Sequence, residues 1–206
     1  MLSTTDAIVL SLQPHSDKAH VLHAYTRASG RVNYMVYGLG RKHAIGLYTP
    51  LSLIRITAEC PHNGLPTLRE AVCQRSGLSA IAVCQSEGRS NSDSGLYKQT
   101  IRLFVAEVLY HVLRHPMVDE PMFEFLAQAV QELETIESPQ NFHVQFLIDF
   151  AAKLGFAITE PSDLLLMPQS RTERQQALRK LCAYFEEHVE TWQTPKSLDV
   201  LTEVFD

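Results

Sequence analysis

Residues 25–42 read YTRASGRVNYMVYGLGRK, and this stretch decides the fold of the first half of the chain. It predicts the end of one strand, a tight turn at Ser29-Gly30, a second strand over residues 31–37 and a glycine-rich basic loop. Cationic side chains bind backbone phosphates, and aromatic rings stack on bases. The composition of this stretch is therefore typical of a surface that binds single-stranded nucleic acid. Alternating tyrosines are also typical of half-buried packing, and composition alone favours that interpretation. The cations and tyrosines concerned are Arg27, Arg31, Arg41 and Lys42, with Tyr25, Tyr34 and Tyr37.

The first 80 residues are predicted to form five short strands separated by regular turn signals. Residues 31–37 alternate, so that Val32, Tyr34 and Val36 share one face while Arg31 and Tyr37 share the other. Five strands in so short a segment predict a small closed barrel, because closure removes exposed strand edges. The predicted strands are residues 7–12, ended by Pro14, then 20–26, 31–37, 51–58 and 68–74.

Beyond a polar stretch at residues 86–95, the predicted linker, the apolar period changes from two to 3.6 residues. This pattern predicts a helical bundle. The fold class is therefore α+β, with a five-stranded barrel domain in residues 1–80 and an α-helical domain in residues 81–206. The predicted helices are residues 98–115, one that begins after the N-cap Asp119, residues 138–155, one that begins at the capping box Ser170–Glu173, and residues 197–205.

Charge divides the chain in the same way. Residues 1–80 carry eight Lys and Arg against four Asp and Glu, whereas residues 81–206 carry ten against 19. The asymmetry predicts that any anion-binding work lies in the first domain. No apolar run approaches the ~18 residues of a membrane span, and the N-terminus lacks a basic n-region, so a cytoplasmic protein is expected.

No motif in the sequence predicts catalysis, a metal or another cofactor. His111 and His115 lie four residues apart, but Val112 stands where a zinc protease has glutamate. The sequence Gly38-Leu39-Gly40 lacks the third glycine of a dinucleotide fingerprint. None of the four cysteines forms a CxxC pair, and no serine lies in a GxSxG elbow. We therefore expect a non-enzymatic protein.

Four segments resemble the RecO family of recombination mediators. Residues 4–42, TTDAIVLSLQPHSDKAHVLHAYTRASGRVNYMVYGLGRK, resemble the start of that family, with its AIVL strand, P-x-S-[DE] turn, T-x-x-x-G turn and Gly-Arg-Lys loop. Residues 49–59, TPLSLIRITAE, resemble the family's P-[LF]-S strand. Residues 146–156, FLIDFAAKLGF, resemble its helix that ends in Leu-Gly-Phe, and residues 196–206, KSLDVLTEVFD, resemble the end of Bacteroidetes-type members.

This resemblance implies an OB-fold barrel followed by an α-helical domain. It also implies binding of single- and double-stranded DNA, annealing of complementary strands, and loading of RecA, together with RecR, onto DNA coated by single-stranded-DNA-binding protein (SSB). The acidic C-terminal tail of SSB docks on the family's helical domain. On this basis Arg27, Arg31, Arg41 and Lys42 would contact phosphates, and Tyr34 or Tyr37 would stack on bases. Arg102, Arg114 and Lys153 are the cations considered for a partner pocket.

Three features depart from the family pattern. Residues 155–170 contain none of the cysteines of the zinc loop that many members carry, so zinc is not expected. That region and the linker look abbreviated, and the second half is acidic. A shortened relative that works mainly as a protein-interaction module for RecR or SSB is therefore the alternative. An RNA- or oligosaccharide-binding OB protein is a third possibility, because a fold does not fix a function.

Overall fold

The five strands of the N-terminal half close into a barrel in the order β1-β2-β3-β5-β4, with β4 paired to β1. The computed structural model describes residues 1–39, 46–75, 92–159 and 167–204. It confirms the predicted five-stranded barrel of OB-fold type. The strands are β1 (Leu2–Ser16), β2 (Ala19–Thr26), β3 (Gly30–Tyr37), β4 (Leu53–Glu59) and β5 (Thr67–Arg75).

Closure of the barrel depends on the short parallel contact between β3 and β5. Met35 pairs with Thr67, and the Met35 amide donates to the Pro66 carbonyl at 2.8 Å. Every other strand pair is antiparallel. Strand β1 runs through Pro14, where the sequence predicted its end. A proline is tolerated there because the register of β1 against β2 shifts between Pro14 and Ser16.

In the described part of the chain, five helices follow the barrel, as the 3.6-residue period predicted. Asp119 caps α2 by accepting from the Met122 amide at 2.9 Å, and Ser170 with Glu173 forms the predicted capping box. Within the described residues no helix is long and apolar enough to cross a membrane. The helices are α1 (Ser92–Val112), α2 (Glu120–Thr135), α3 (Phe142–Lys153), α4 (Arg171–His188) and α5 (Ser197–Val204).

The boundaries of α1 differ from the prediction at both ends. The helix begins at Ser92, so the last part of the predicted linker is helical. It ends at Val112 rather than at His115. Pro116 disfavours helical backbone at the residue before it, which is His115. His115 therefore lies beyond the helix that carries His111. The predicted domain boundary near residue 80 lies outside the described residues.

Two apolar cores are present, and one of them is shared between the halves of the chain. The first fills the barrel interior. The second joins the helices to the outside of the barrel, through Ile8, Leu10, Tyr25, Leu51 and Leu53. Because these five residues are buried against helices, part of the barrel's outer surface is covered and cannot meet a ligand.

Candidate nucleic-acid interface

The outer face of β1, β2 and β3 is the surface that other OB barrels use for oligonucleotides. The strand register places residues of the three strands side by side in rows, and alternate residues of a strand point to the same side. Moving away from the helices, the rows are Ser11–His23–Asn33, Gln13–Val21–Met35 and Ala19–Tyr37.

The helices cover the part of this face that lies nearest to the β2–β3 turn. The His23 ring meets Tyr110 edge to face at 5.1 Å between centroids, and Tyr25 stacks on Phe123 at 6.4 Å. The Arg31 guanidinium lies 4.3 Å from the Tyr110 ring centroid and donates to the Tyr110 carbonyl at 3.3 Å. Burial lowers the pKa of Arg31. Arg31 therefore joins the barrel to α1 and is not open to a phosphate in this structure.

Arg27 is also engaged by the helical domain. Its guanidinium contacts the carboxylates of Glu120 and Glu124 and lies 4.5 Å from the Phe123 ring centroid. A third carboxylate, that of Asp6, is 3.8 Å away. The hydrogen bond to Glu124 is the largest cause of a raised pKa for Arg27. A phosphate would have to displace these groups, so the structure gives Arg27 a role in holding the two domains together.

The two candidate stacking tyrosines lie on opposite sides of the barrel wall. Tyr34 is 5% exposed and packs inside the barrel, where burial raises its pKa to about 12. It offers no ring face to a base in this structure. Tyr37 is 58% exposed at the end of β3 and remains the candidate. The sequence had already placed Tyr34 on the same face as Val32 and Val36, and that apolar face is the inner one.

The open part of the outer face consists of Gln13, Val21, Met35 and Tyr37, and we call it the open barrel face. Lys18, in the turn between β1 and β2, lies beside it and is exposed. Among the barrel cations whose side chains the structure describes, Lys18 is the one that is neither paired with a carboxylate nor held by the helical domain. Sequence reasoning missed Lys18, although its turn position next to a strand end was a usable signal.

The remaining barrel cations divide into two groups. Arg55 and Arg69 are paired, since Arg55 donates to Asp6 at 2.8 Å and Arg69 donates to Glu59 at 2.9 Å. Arg41 and Lys42 lie outside the described residues. In the sequence they follow Tyr37 by four and five residues, after Gly38, whose φ of +74° suits a glycine.

The three cations considered for partner binding do not form one pocket. Arg102 is 1% exposed and faces Glu134 at 3.6 Å, so it is part of the helical core. Arg114 is exposed and donates to the carbonyls of His111 and Thr191 at 3.0 and 3.3 Å. Because its side chain is buried, Arg102 is not exposed to a partner in this structure.

Lys153 is the one of these three cations that borders a groove. It is exposed at the end of α3, with its Nζ 5.8 Å from the Phe125 ring centroid. The groove lies between α2 and α3, has a volume of about 340 Å³ and has an aromatic floor of Phe125, Phe142 and Phe146. We call it the α2–α3 groove. Two carboxylates, Glu132 and Asp149, also border it.

Within the described ranges, no three His, Cys, Asp or Glu side chains are placed to hold a metal ion. Cys60 and Cys73 are exposed free thiols, and Cys182 is a buried one. Burial raises the pKa of Cys182 to about 11, which keeps this thiol protonated and unreactive at neutral pH.

The amino-acid sequence of this chain is similar to those of known proteins. Residues 1–76 match the family described as Recombination protein O N terminal. The whole chain is 27% identical, over 257 aligned positions, to the DNA repair protein RecO of Porphyromonas gingivalis, and 27% identical over 252 to that of Phocaeicola vulgatus. Both alignments cover 100% of each protein. The RecO protein of Flavobacterium johnsoniae is 26% identical over 243 positions, with 98% of each protein covered.

The aligned lengths exceed the 206 residues of this chain, so some segments of these relatives have no counterpart in it. The similarity nevertheless extends through both the barrel and the helices. The match identifies residues 1–76, which form the closed five-stranded barrel, as a domain of the Recombination protein O N terminal family, and the whole chain is similar to DNA repair proteins named RecO.

Proposed function

We propose that this protein is a non-enzymatic recombination mediator that binds single- and double-stranded DNA through the open barrel face. In that role it anneals complementary strands and, with RecR, helps to load RecA onto SSB-coated DNA. One observation carries the proposal. The helices cover only half of the outer face of β1–β3 and leave the half that ends in exposed Tyr37, the end that Arg41 and Lys42 follow in the sequence.

The chemistry of that half suits a single strand. Tyr37 provides an aromatic face, and base–aromatic stacking contributes about 1–3 kcal/mol per base. Lys18 provides charge for a phosphate beside it, and Arg41 and Lys42, which follow Tyr37 by four and five residues in the sequence, are proposed to provide more. Arg27 and Arg31 are excluded from this set, because the helical domain already holds their guanidinium groups.

The salt dependence of single-strand binding tests this assignment. Each phosphate contact on a single strand contributes about 0.7 to the slope of log affinity against log salt concentration, so three cations predict a slope of roughly −2. The variant K18Q/R41Q/K42Q should bring the slope close to zero and weaken binding to all sequences alike. Tyr37→Ala should weaken binding without changing the slope. Fluorescence anisotropy of a labelled oligonucleotide, titrated at several salt concentrations, measures all three proteins.

The matched control is R55Q/R69Q, which removes two barrel cations that are already paired with Asp6 and Glu59. It should bind like the parent. If the triple variant kept the parent's slope, the open barrel face would not be the phosphate-binding surface. Strand-annealing and RecA-loading assays on the same variants then test whether DNA binding supports the mediator activities.

The second candidate is a protein-interaction module that holds RecR or the SSB tail. The α2–α3 groove favours it, because its aromatic floor suits the apolar end of a peptide and Lys153 suits an acidic group, while Glu132 and Asp149 limit how many acidic groups it can accept. DNA binding that is absent even at low salt, together with capture of RecR or SSB, would favour this function over the first.

Lys153→Glu tests the groove directly. Reversing the charge should weaken binding of a labelled SSB C-terminal peptide about fivefold, since an exposed ion pair contributes up to about 1 kcal/mol. Arg114→Glu is the control, because Arg114 is exposed but hydrogen-bonds the carbonyls of His111 and Thr191, which do not border the groove. Equal affinity of the parent and the Lys153 variant would remove the groove from consideration as the tail site.

A further inference from the structure

A second groove lies where the barrel meets the helices, between β1 on one side and α1 and α5 on the other. Its volume is about 680 Å³, within the range of small-molecule sites. We call it the junction groove. Its walls are Gln13 and Tyr48 from the barrel, Leu103 and Tyr110 from α1, and Gln193 and Val200 from the C-terminal segment.

The charged groups that line the junction groove are already hydrogen-bonded or lie at its rim. Both Glu107 carboxylate oxygens are used to hold the start of α5, where they accept from the Lys196 amide at 2.9 Å, the Ser197 amide at 2.9 Å and the Ser197 hydroxyl at 2.6 Å. Burial lowers the pKa of His111, which is therefore neutral at pH 7. Lys196 is exposed at the rim. A groove of this kind suits an uncharged ring with polar edges better than a phosphate or an acidic peptide.

The junction groove is continuous with the open barrel face. Gln13 is exposed and belongs to both, since it borders the groove and lies in one row with Val21 and Met35. That row spans two strand spacings, about 10 Å, and Tyr37 lies in the next row along β3. A single strand whose base stacks on Tyr37 is therefore within a short distance of the groove mouth.

We propose that the junction groove takes an unpaired nucleobase from a DNA strand that lies on the open barrel face. The inference rests on the proposed function and adds a physical reason why the protein would prefer single strands to duplexes. Leu103, Val200 and the partly exposed Tyr110 provide apolar and aromatic surface for the ring, and the Gln13 and Gln193 amides can hydrogen-bond its edge. A paired base reaches such a groove only if it leaves the stack, which costs free energy. The groove thus favours single strands over duplexes.

Val200→Trp tests this inference by filling the groove. Val200 is 44% exposed at the rim, so the larger side chain adds no strain to the core. Single-strand affinity should fall about tenfold, the loss expected when one base is no longer stacked. Duplex affinity and the salt slope should stay at the parent's values, because no phosphate contact is removed. Val72→Trp is the control, since Val72 is 53% exposed on β5 and does not border the groove.

The outcomes separate this inference from the proposed function. If the parent binds single strands and V200W binds them equally well, the groove takes no base, whereas the open barrel face keeps its role. Equal weakening of single-strand and duplex binding would also overturn the inference, because a base pocket acts on unpaired bases. A parent that binds no DNA would overturn both proposals. Gln193→Trp, at another exposed position on the wall from the C-terminal segment, provides the same test if V200W does not fold.

Discussion

Gly30→Ala is expected to lower the free energy of unfolding by about 2–5 kcal/mol, from backbone strain together with overpacking. Gly30 has a φ of +62° in the β2–β3 turn. A Cβ atom there would lie 2.2 Å from the Met117 carbonyl oxygen and 2.9 Å from the Met117 amide nitrogen. The obstacle is backbone, so a change of rotamer cannot relieve it. The α1–α2 connection that contains Met117 is also tied to the turn, because the Arg31 amide donates to the His115 carbonyl at 3.4 Å.

Gly38→Ala is the matched control for this prediction. Gly38 has a similar φ of +74°, but no atom of the described residues lies within 4 Å of the Cβ position. Only the backbone strain applies at Gly38, so we expect the free energy of unfolding to fall by about 1 kcal/mol. Urea unfolding followed by circular dichroism compares the two midpoints. Equal losses in the two variants would mean that the turn does not depend on its close approach to Met117.

The pattern of the sequence was sufficient to predict the elements of the fold. Alternation of apolar residues marked the strands, and the capping residues Asp119 and Ser170 marked two helix starts, because these signals act within a few residues. Alternation also placed Tyr34 and Tyr37 on opposite faces. It could have identified Tyr34 as the inner one, since Val32 and Val36 share its side.

The pattern could not show which part of the barrel the helices cover. Arg27 is engaged by Glu120 and Glu124, which lie 93 and 97 residues further along the chain. The local sequence around Arg27 gives no sign of partners so far along the chain. A basic hairpin is therefore predicted to be an open surface when only its own sequence is considered. Arg102 is different, because local spacing did carry information. It lies three and seven residues before Val105 and Leu109, on the helical stripe that proves to be buried.

The consequence for the candidate site is a change of position within the same barrel. Two of the four predicted phosphate contacts, Arg27 and Arg31, hold the domains together, and the free surface moves toward Lys18 and the loop after β3. The covered half is informative as well. It fixes the side from which a strand can approach, and it creates the junction groove at its edge.

Stability is expected to fall on mild acidification because of one buried histidine in α3. His143 is 2% exposed, with its ring edge on Phe104 at 6.3 Å between centroids. Burial, and then the positive charge of Arg174, lower the pKa of His143 to about 3, from an ordinary value of 6.5. Below about pH 6.5 the unfolded chain binds a proton at this site that the folded protein excludes until the pH nears its own pKa. Acid therefore favours the unfolded state throughout that window.

The expected loss from His143 is about 1.4 kcal/mol between about pH 7.5 and pH 5.5. Burial also lowers the pKa values of His23 and His111, which adds losses of the same sign. Urea unfolding at both pH values measures the total, and His143→Leu should remove the share that belongs to this histidine. His62→Leu, at an exposed position, should leave the pH dependence unchanged. If the parent and His143→Leu lost the same stability on acidification, His143 would have to accept a proton within the folded core, and its exclusion from water would not control the acid sensitivity of the helical domain.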